Sequence, residues 1–314
     1  MRIFVAGATG VIGSRLVPLL VRGGHEVWGM TRTPAKRPLV ERQGARSVVA
    51  DALDPEAVGH AVSEAQPDVV VHQLTALSDL GNMRNFEKAF AQNMRMRSEG
   101  TDNLLSASRA AGVRRFVAQS FAGYLLAPGN GPVTEEDALV AEPPKVLRRA
   151  FAADRHLEAA VTGAEWTEGI VLRYGMFYGP GTSLSMSPPG VYTELVRKRQ
   201  FPIVGGGTGV WSFVHIDDAA AATVAAIERG RRGLYHIVDD EPARVADFLP
   251  ALAQAIGAPR PLRVPKWLGR LLGGAATAIM TTEARGASNA KAKRDLGWEP
   301  RWKSWRDGFA HGLA

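Results

Sequence analysis

The sequence predicts an α/β fold in which helices cover both faces of a doubly wound parallel sheet. The chain begins with an apolar run, Ile3 to Ala6, which a glycine-rich turn joins to a helical pattern. Val69, Val70 and Val71 form a continuous apolar run, as expected for a parallel strand buried on both faces. Predicted strands and helices alternate as far as Tyr174, which is typical of a parallel sheet with crossover helices.

The elements of this pattern follow in a regular order. The first helix has apolar residues at Leu16, Val17, Leu19 and Leu20 and ends at Gly23. We predict further strands at 25–30, 46–50, 68–74, 116–119 and 169–174, and helices at 54–65, 86–112 and 146–161. The segment 86–112 is long enough for two helices. After a stretch rich in glycine, proline and serine, a strand at 211–216, a helix at 217–228 and a strand at 234–238 follow.

Composition and charge exclude several classes of protein. The chain has 314 residues and no cysteine, which excludes disulfides and thiolate sites. We find neither an apolar stretch long enough to span a membrane nor an export signal, so we expect a cytoplasmic protein without a membrane partner. The net charge of +7 is spread along the chain without a helix-turn-helix or zinc signature, so we expect no nucleic-acid partner.

A glycine-rich turn follows the first predicted strand directly and leads into the first helix. In this context the glycines allow the backbone to turn tightly and to approach a pyrophosphate, which the helix N-terminus then faces. The candidate cofactor-binding residues of the turn are Gly7, Thr9, Gly10, Val11, Ile12 and Gly13. We therefore predict a dinucleotide-binding domain from 1–174 plus 211–239. Residues 175–210 plus 240–314 are predicted to form a smaller, mostly helical substrate lobe.

Further motifs along nearly the whole chain carry a family resemblance. They are Gly7-Ala8-Thr9-Gly10-Val11-Ile12-Gly13, Asp51, Val71-His72-Gln73-Leu74-Thr75-Ala76, Gly100-Thr101, Ser120 with Tyr124, Leu172-Arg173-Tyr174, Tyr178-Gly179-Pro180-Gly181, Phe213-Val214-His215-Ile216-Asp217-Asp218 and Leu296-Gly297-Trp298. With these motifs the chain resembles the extended short-chain dehydrogenase/reductase superfamily, which includes UDP-galactose epimerase and nucleotide-sugar dehydratases. The resemblance implies a Rossmann-type fold and a nicotinamide cofactor.

Residues near the second strand indicate which nicotinamide cofactor is bound. Where the family often has an acid that binds the ribose of NAD, this chain has Thr31 followed by Arg32. A guanidinium attracts the additional phosphate of NADP, so we expect NADP rather than NAD. By resemblance Asp51 contacts the adenine, and the remaining expected cofactor-binding residues are Ala52, Leu74, Thr75 and Tyr174.

The usual catalytic pair of the superfamily is missing. Its members use a Tyr as acid/base and a Lys one helical turn later, but no tyrosine here has a lysine four residues on. Alignment on Glu158 places Ala150 and Asp154 at those two positions. The resemblance retains Ser120 as the residue that binds a substrate oxygen, and Tyr124 and Asp154 are the candidate proton-transfer groups. Packing of Tyr124 near the pocket floor and a solvated Asp154 stay open as alternatives.

The substrate side also departs from the resemblance. Nucleotide-sugar members hold phosphates with an Asn and an Arg, where this chain has Met176 and Trp211. Together with Phe177 these residues predict a largely apolar small-molecule substrate, although they also fit a lobe core. The histidines match no zinc spacing, so we expect no metal.

The sequence therefore favours an NAD(P)-dependent oxidoreductase that transfers a hydride to or from a small, largely apolar metabolite. Two alternatives stay open: a non-catalytic NADP-binding sensor or interaction protein, and a sugar-type epimerase or dehydratase. The Ala-rich helices predicted at 86–112 and 146–161 would allow a homodimer, although they would equally suit exposure to solvent.

Overall fold

A computed structural model describes residues 1–77, 85–123 and 125–314. The strands are β1 (Arg2–Ala6), β2 (Glu26–Thr31), β3 (Arg46–Val49), β4 (Val69–His72), β5 (Arg115–Phe121), β6 (Glu168–Tyr174), β7 (Met176–Tyr178), β8 (Ile203–Val204), β9 (Val210–Trp211), β10 (Phe213–His215), β11 (Gly233–Ile237), β12 (Ala243–Arg244) and β13 (Arg263–Val264). The helices are α1 (Gly13–Arg22), α2 (Arg37–Arg42), α3 (Pro55–Ala65), α4 (Phe86–Arg97), α5 (Glu99–Ala110), α6 (Arg148–Thr162), α7 (Val191–Arg197), α8 (Ile216–Arg229), α9 (Val245–Ala255), α10 (Lys266–Glu283), α11 (Ala290–Leu296) and α12 (Trp305–His311).

Seven parallel strands form the central sheet in the order β11-β6-β5-β4-β1-β2-β3. Strand β1 lies in the middle, with Ile3 opposite Val27 of β2 on one side and Val69 of β4 on the other. This order is the doubly wound arrangement, in which the chain winds outward in both directions from β1. The predicted Rossmann-type α/β fold is therefore confirmed. The predicted segment 86–112 forms two helices, which meet at Ser98.

Alternate residues of the strands face opposite sides of the sheet, and each side has its own core. Ile3 and Val5 pack towards α1 and α8, whereas Phe4 and Ala6 pack in the core that includes α3 and α5. All four side chains are fully buried, which explains the continuous apolar runs of the sequence.

A third core fills the smaller lobe. Phe213 packs edge-on against Phe248 and Phe309, with ring centroids 4.9 and 5.3 Å apart. The segment predicted as one strand at 211–216 divides into β9 and β10, which pair with β12 and β7 rather than with the central sheet. Only β11 of the segment 211–239 joins the central sheet, beside β6. The division into two domains stays a prediction.

Candidate active site

The glycine turn after β1 has no room for side chains at two of its positions. Gly7 has a φ of +95°, and a Cβ there would lie 2.8 Å from the carbonyl oxygen of Gln73. A Cβ at Gly13 would lie 2.2 Å from the carbonyl oxygen of Gly7. The N–H of Gly10 donates to that same oxygen at 2.9 Å. The turn therefore brings bare backbone to the start of α1, as a bound pyrophosphate requires.

The predicted ribose and adenine contacts follow two neighbouring strands at the same edge of the sheet. Arg32 comes directly after β2 and is exposed, and within the described ranges no carboxylate pairs with its guanidinium. Asp51 follows β3, and its carboxylate accepts the N–H of Leu53 at 3.0 Å. The Ala52 carbonyl accepts the side-chain amide of Asn103 at 2.9 Å. The contacts of Arg32 and Asp51 with a cofactor stay predictions.

The remaining predicted cofactor residues differ in exposure. Leu74 is half-buried and Thr75 is exposed, directly beyond β4. Tyr174 is fully buried, and its hydroxyl forms hydrogen bonds with the side chains of Gln73 at 3.2 Å and Thr223 at 2.7 Å. Burial raises the pKa of Tyr174 to about 12. The Tyr174 hydroxyl therefore links β4, β6 and α8 inside the fold. Within the turn, Ile12 is buried, Thr9 is half-buried and Val11 is exposed.

A cleft of about 740 Å³, which includes solvent at its mouth, lies between α4, β5 and α6. Most of its lining is apolar and much of that is aromatic. The lining residues are Phe86, Phe90, Asn93, Met94, Arg97, Phe121, Leu125, Leu139, Leu147, Ala150, Phe151, Asp154, Arg155, Glu158 and Arg173. The rings of Phe86 and Phe90 stack with their centroids 4.3 Å apart. In the described part of the chain this lining contains no tyrosine and no lysine.

A buried network of charges lies behind the cleft. The hydroxyl of Ser120, at the end of β5, donates to a carboxylate oxygen of Glu158 at 2.7 Å. Arg173 donates to the same carboxylate through Nε at 2.7 Å and Nη2 at 2.6 Å, and to His236 through Nη1 at 3.3 Å. Burial, assisted by Arg173, lowers the pKa of His236 to about 3, so the imidazole is neutral. Ser120 is therefore held by an ion pair, and its proton points towards Glu158.

A second ion pair faces the cleft at the position of the missing lysine. Asp154 on α6 accepts from Nε of Arg97 at 3.0 Å, and Nη1 of Arg97 donates to the carbonyl oxygen of Gln119 at 3.3 Å. Burial raises the pKa of Asp154, while the positive charge of Arg97 opposes that shift. Ala150, at the position of the missing tyrosine, lines the same cleft. Tyr124 lies outside the described residues.

The three residues predicted to contact the substrate are not among the residues that line this cleft. The indole of Trp211 donates to the carbonyl oxygen of Met280 at 2.9 Å, in the core of the smaller lobe. Met176 is buried in the same core. Phe177 packs against Tyr174 with ring centroids 5.5 Å apart. Their role in substrate binding stays a prediction.

Sequence reasoning missed the aromatic side chains of α4 and the partner of Asp154. The spacing of Phe86 and Phe90, one helical turn apart, was the available signal for a common face. Nothing in the sequence paired Arg97 with Asp154, which lies 57 positions later on another helix. Glu158 served only to align the motif, although the structure places it at the centre of the buried network.

Within the residues that the structure describes, no three His, Cys, Asp or Glu side chains lie together as ligands for a metal ion. Among the helices formed by the same residues, none combines the length and hydropathy that a membrane crossing needs.

Comparison with known proteins identifies relatives over nearly the whole chain. The model of the NAD dependent epimerase/dehydratase family matches residues 3–238. A 3-diazoavenalumate denitrifying reductase from a Streptomyces species is 48% identical over 312 residues, covering 98% of this chain and 99% of the relative.

Solved structures show the same fold at lower identity. UDP-glucose 4-epimerase from Thermotoga maritima, solved with UDP-glucose, has a TM-score of 0.77 at 22% identity and covers 100% of this chain and 97% of its own. UDP-glucose 4-epimerase from Thermus thermophilus, solved with NAD, has a TM-score of 0.74 at 24% identity, with 100% and 98% covered. Taken together, the relatives support an NAD(P)-dependent oxidoreductase.

Proposed function

Because the chain belongs to the NAD dependent epimerase/dehydratase family, we propose that it is an NADPH-dependent reductase of a diazo-bearing aromatic acid. The hydride would replace the diazo group, which leaves as N₂. One observation carries this proposal: the described lining of the cleft joins aromatic rings to paired charges and offers neither the Tyr nor the Lys of the usual proton-donating pair. The 48% identical relative, named for its action on a diazo compound, supports the same substrate class.

The chemistry of a diazo substrate explains why such a cleft would work. Reduction of a carbonyl leaves an alkoxide, which needs a proton from a group such as the family tyrosine. An arenediazonium needs none, because the electron pair of the hydride forms the new C–H bond and the pair of the C–N bond leaves with N₂. Bound NADPH supplies the hydride. The absence of the usual acid/base pair is then compatible with turnover, since no oxyanion has to be protonated.

The residues of the chain would bind and orient the two reactants. Gly7, Gly10 and Gly13, where the backbone is bare, would hold the pyrophosphate, Arg32 would hold the 2′-phosphate, and Asp51 would hold the adenine. A neutral residue followed by an arginine favours NADPH over NADH, since a carboxylate there would repel the phosphate.

On the substrate side, the stacked pair Phe86 and Phe90 would lie against a flat ring. The Arg97–Asp154 pair would fix the polar end of the substrate by charge, in place of the missing lysine. Ser120 would act as a positioning residue through Glu158, because its hydroxyl already donates to that carboxylate.

The test follows NADPH oxidation, N₂ release and proton uptake together, with an arenediazonium carboxylate, an aryl ketone and UDP-glucose offered in turn. We expect NADPH oxidation and N₂ release in equal amounts with the diazonium, without proton uptake, and above the rate without enzyme. Ketone reduction with uptake of one proton, or conversion of UDP-glucose without net use of cofactor, would contradict the proposal. Binding of NADPH without turnover of any of the three compounds would indicate a non-catalytic NADP-binding sensor.

A double variant tests whether the cleft is a damaged version of the usual site. Ala150→Tyr with Asp154→Lys restores the two family side chains in one cleft, but the new lysine would face the guanidinium of Arg97. Because like charges at that distance repel, we expect no gain of ketone reduction and a loss of diazo reduction. A rise in ketone reduction in this variant would contradict the proposed role of the Arg97–Asp154 pair.

A further inference from the structure

The first half of α10 presents large apolar side chains to solvent. Trp267 is 68% exposed and Leu271 is 67% exposed, and Leu262, just before the helix, is 44% exposed. We call these three residues the outer ridge. Single exposed apolar residues are normal on protein surfaces, but three so close in sequence indicate an interaction site.

An ordinary surface helix turns its apolar stripe towards the core, whereas the first half of α10 turns large apolar side chains towards solvent. Here the contact with the protein is made at Gly269, where a Cβ would lie only 2.4 Å from a methyl group of Val204. At 100° per residue, positions 267 and 271 lie about 160° from position 269 on either side. Trp267 and Leu271 therefore point away from the body of the protein.

A break in the helix limits this outward-facing apolar surface to the first half of α10. Gly274 has a non-helical φ of 88° and ψ of 162°, which separates the exposed turns from the rest of α10. Beyond it Ala276, Ala278 and Met280 are buried in the ordinary way. The outer ridge is thus a distinct structural feature rather than the loose edge of a buried helix.

Basic residues predominate around the outer ridge. Arg260, Arg263, Lys266 and Arg270 are all exposed in this stretch. Lys266 pairs with Glu283 at 2.7 Å, and the other three have no carboxylate partner among the residues that the structure describes. Between Asp247 and Glu283 the sequence has no Asp and no Glu. A second copy of the chain docked here through the same surface would place these cations against each other. An anionic partner would complement the charge of this surface.

We propose that the outer ridge and its four basic neighbours bind an anionic lipid surface, with the first half of α10 lying in the headgroup region. Trp and Leu directed outward beside Arg and Lys are the combination that interfacial helices use. The sequence analysis expected no membrane partner because no segment is long enough to span a bilayer. A helix that lies in the interface needs no such length. Helix α10 also packs against the 145–147 turn, which carries Leu147 of the cleft.

The test is sedimentation of the full chain with vesicles of phosphatidylcholine alone and with added phosphatidylglycerol. We expect binding to the anionic vesicles only, weakened by salt. The double variant Trp267→Ser with Leu271→Ser should lower the partition coefficient by about tenfold or more. Leu39→Ser, at an exposed leucine on α2, is the matched control and should bind as the unaltered chain does. Equal melting temperatures would show that both variants are folded.

Three results would overturn the proposal. The first is equal binding to neutral vesicles, or none to either kind. The second is sedimentation of the Trp267 and Leu271 variant like that of the unaltered chain. The third is a concentration-dependent dimer in analytical ultracentrifugation that the same two substitutions abolish, which would make the outer ridge an interface between copies.

Discussion

Removal of the charge of Glu158 is expected to lower the free energy of unfolding more than most conservative substitutions in the cleft. Glu158→Gln keeps the size of the side chain but removes the partner of the Arg173 guanidinium, which now reaches it through two bonds of 2.7 and 2.6 Å. The side chain of Glu158 is only 11% exposed and that of Arg173 only 6%, so water cannot replace the lost partner. Breaking a buried ion pair on one side costs about 3–5 kcal/mol of the free energy of unfolding.

The assay is urea unfolding followed by far-UV circular dichroism, with the midpoint and slope compared between variants. Glu99→Gln is the matched control, because Glu99 forms an ion pair of 2.7 Å with Arg95 on the surface. Since exposed pairs contribute little in water, this control should unfold almost like the unaltered chain. The double variant Glu158→Gln with Arg173→Met removes the stranded charge and should recover part of the loss.

Two results would refute this reasoning. If Glu158→Gln and Glu99→Gln lowered stability equally, burial would not determine the strength of the Glu158–Arg173 pair. If the double variant were less stable than Glu158→Gln alone, the cost would not come from an uncompensated Arg173 charge. Reductase activity measured below the unfolding transition would then show whether Ser120, released from Glu158, still positions the substrate.

Other predictions concern the glycine turn, a buried histidine and the cofactor. Gly13→Ala should abolish NADPH binding in calorimetry, because the new Cβ has no room. Gly59→Ala, at a position on α3 with open space around it, should raise the free energy of unfolding by about 1 kcal/mol. Burial lowers the pKa of His72 from 6.5 to about 3. As the pH falls through that interval, the unfolded chain binds a proton at His72 and the folded chain does not. The free energy of unfolding therefore falls by about 1.4 kcal/mol per pH unit. His72→Gln should lower the slope of that pH dependence in acid unfolding but not abolish it, because the buried His236 has the same lowered pKa and remains. His60→Gln, at an exposed site, should leave the slope unchanged. Arg32→Ala should weaken NADPH at least about tenfold and leave NADH unchanged; equal weakening of both would contradict a 2′-phosphate contact.

The fold was predictable because local patterns encode it. Continuous valines at β4 and the apolar run of β1 report burial on both faces of a sheet, and the structure confirms that sheet. The strand at 211–216 was drawn too long, because alternating apolar residues do not reveal that β9 and β10 leave the central sheet.

The cleft was less predictable because its key contacts join distant segments. The absence of the Tyr and Lys pair was visible in the sequence, but the pairing of Asp154 with Arg97 depends on how α4 packs against α6. The outer ridge was not predicted for a related reason. The close approach of Gly269 to Val204 determines which side of α10 faces the protein, and that contact joins distant segments. A homodimer and a cytoplasmic location stay predictions.

The most direct test of the proposed function is to trace the hydride. The protein is incubated with NADPH deuterated at C4 of the nicotinamide and an arenediazonium carboxylate, and the product is examined by mass spectrometry and NMR. The proposed function predicts one deuterium at the ring carbon that carried the diazo group, with Gly13→Ala reduced to the rate without enzyme. Arene without deuterium, or the same yield from Gly13→Ala, would contradict hydride transfer from a cofactor bound at the glycine turn.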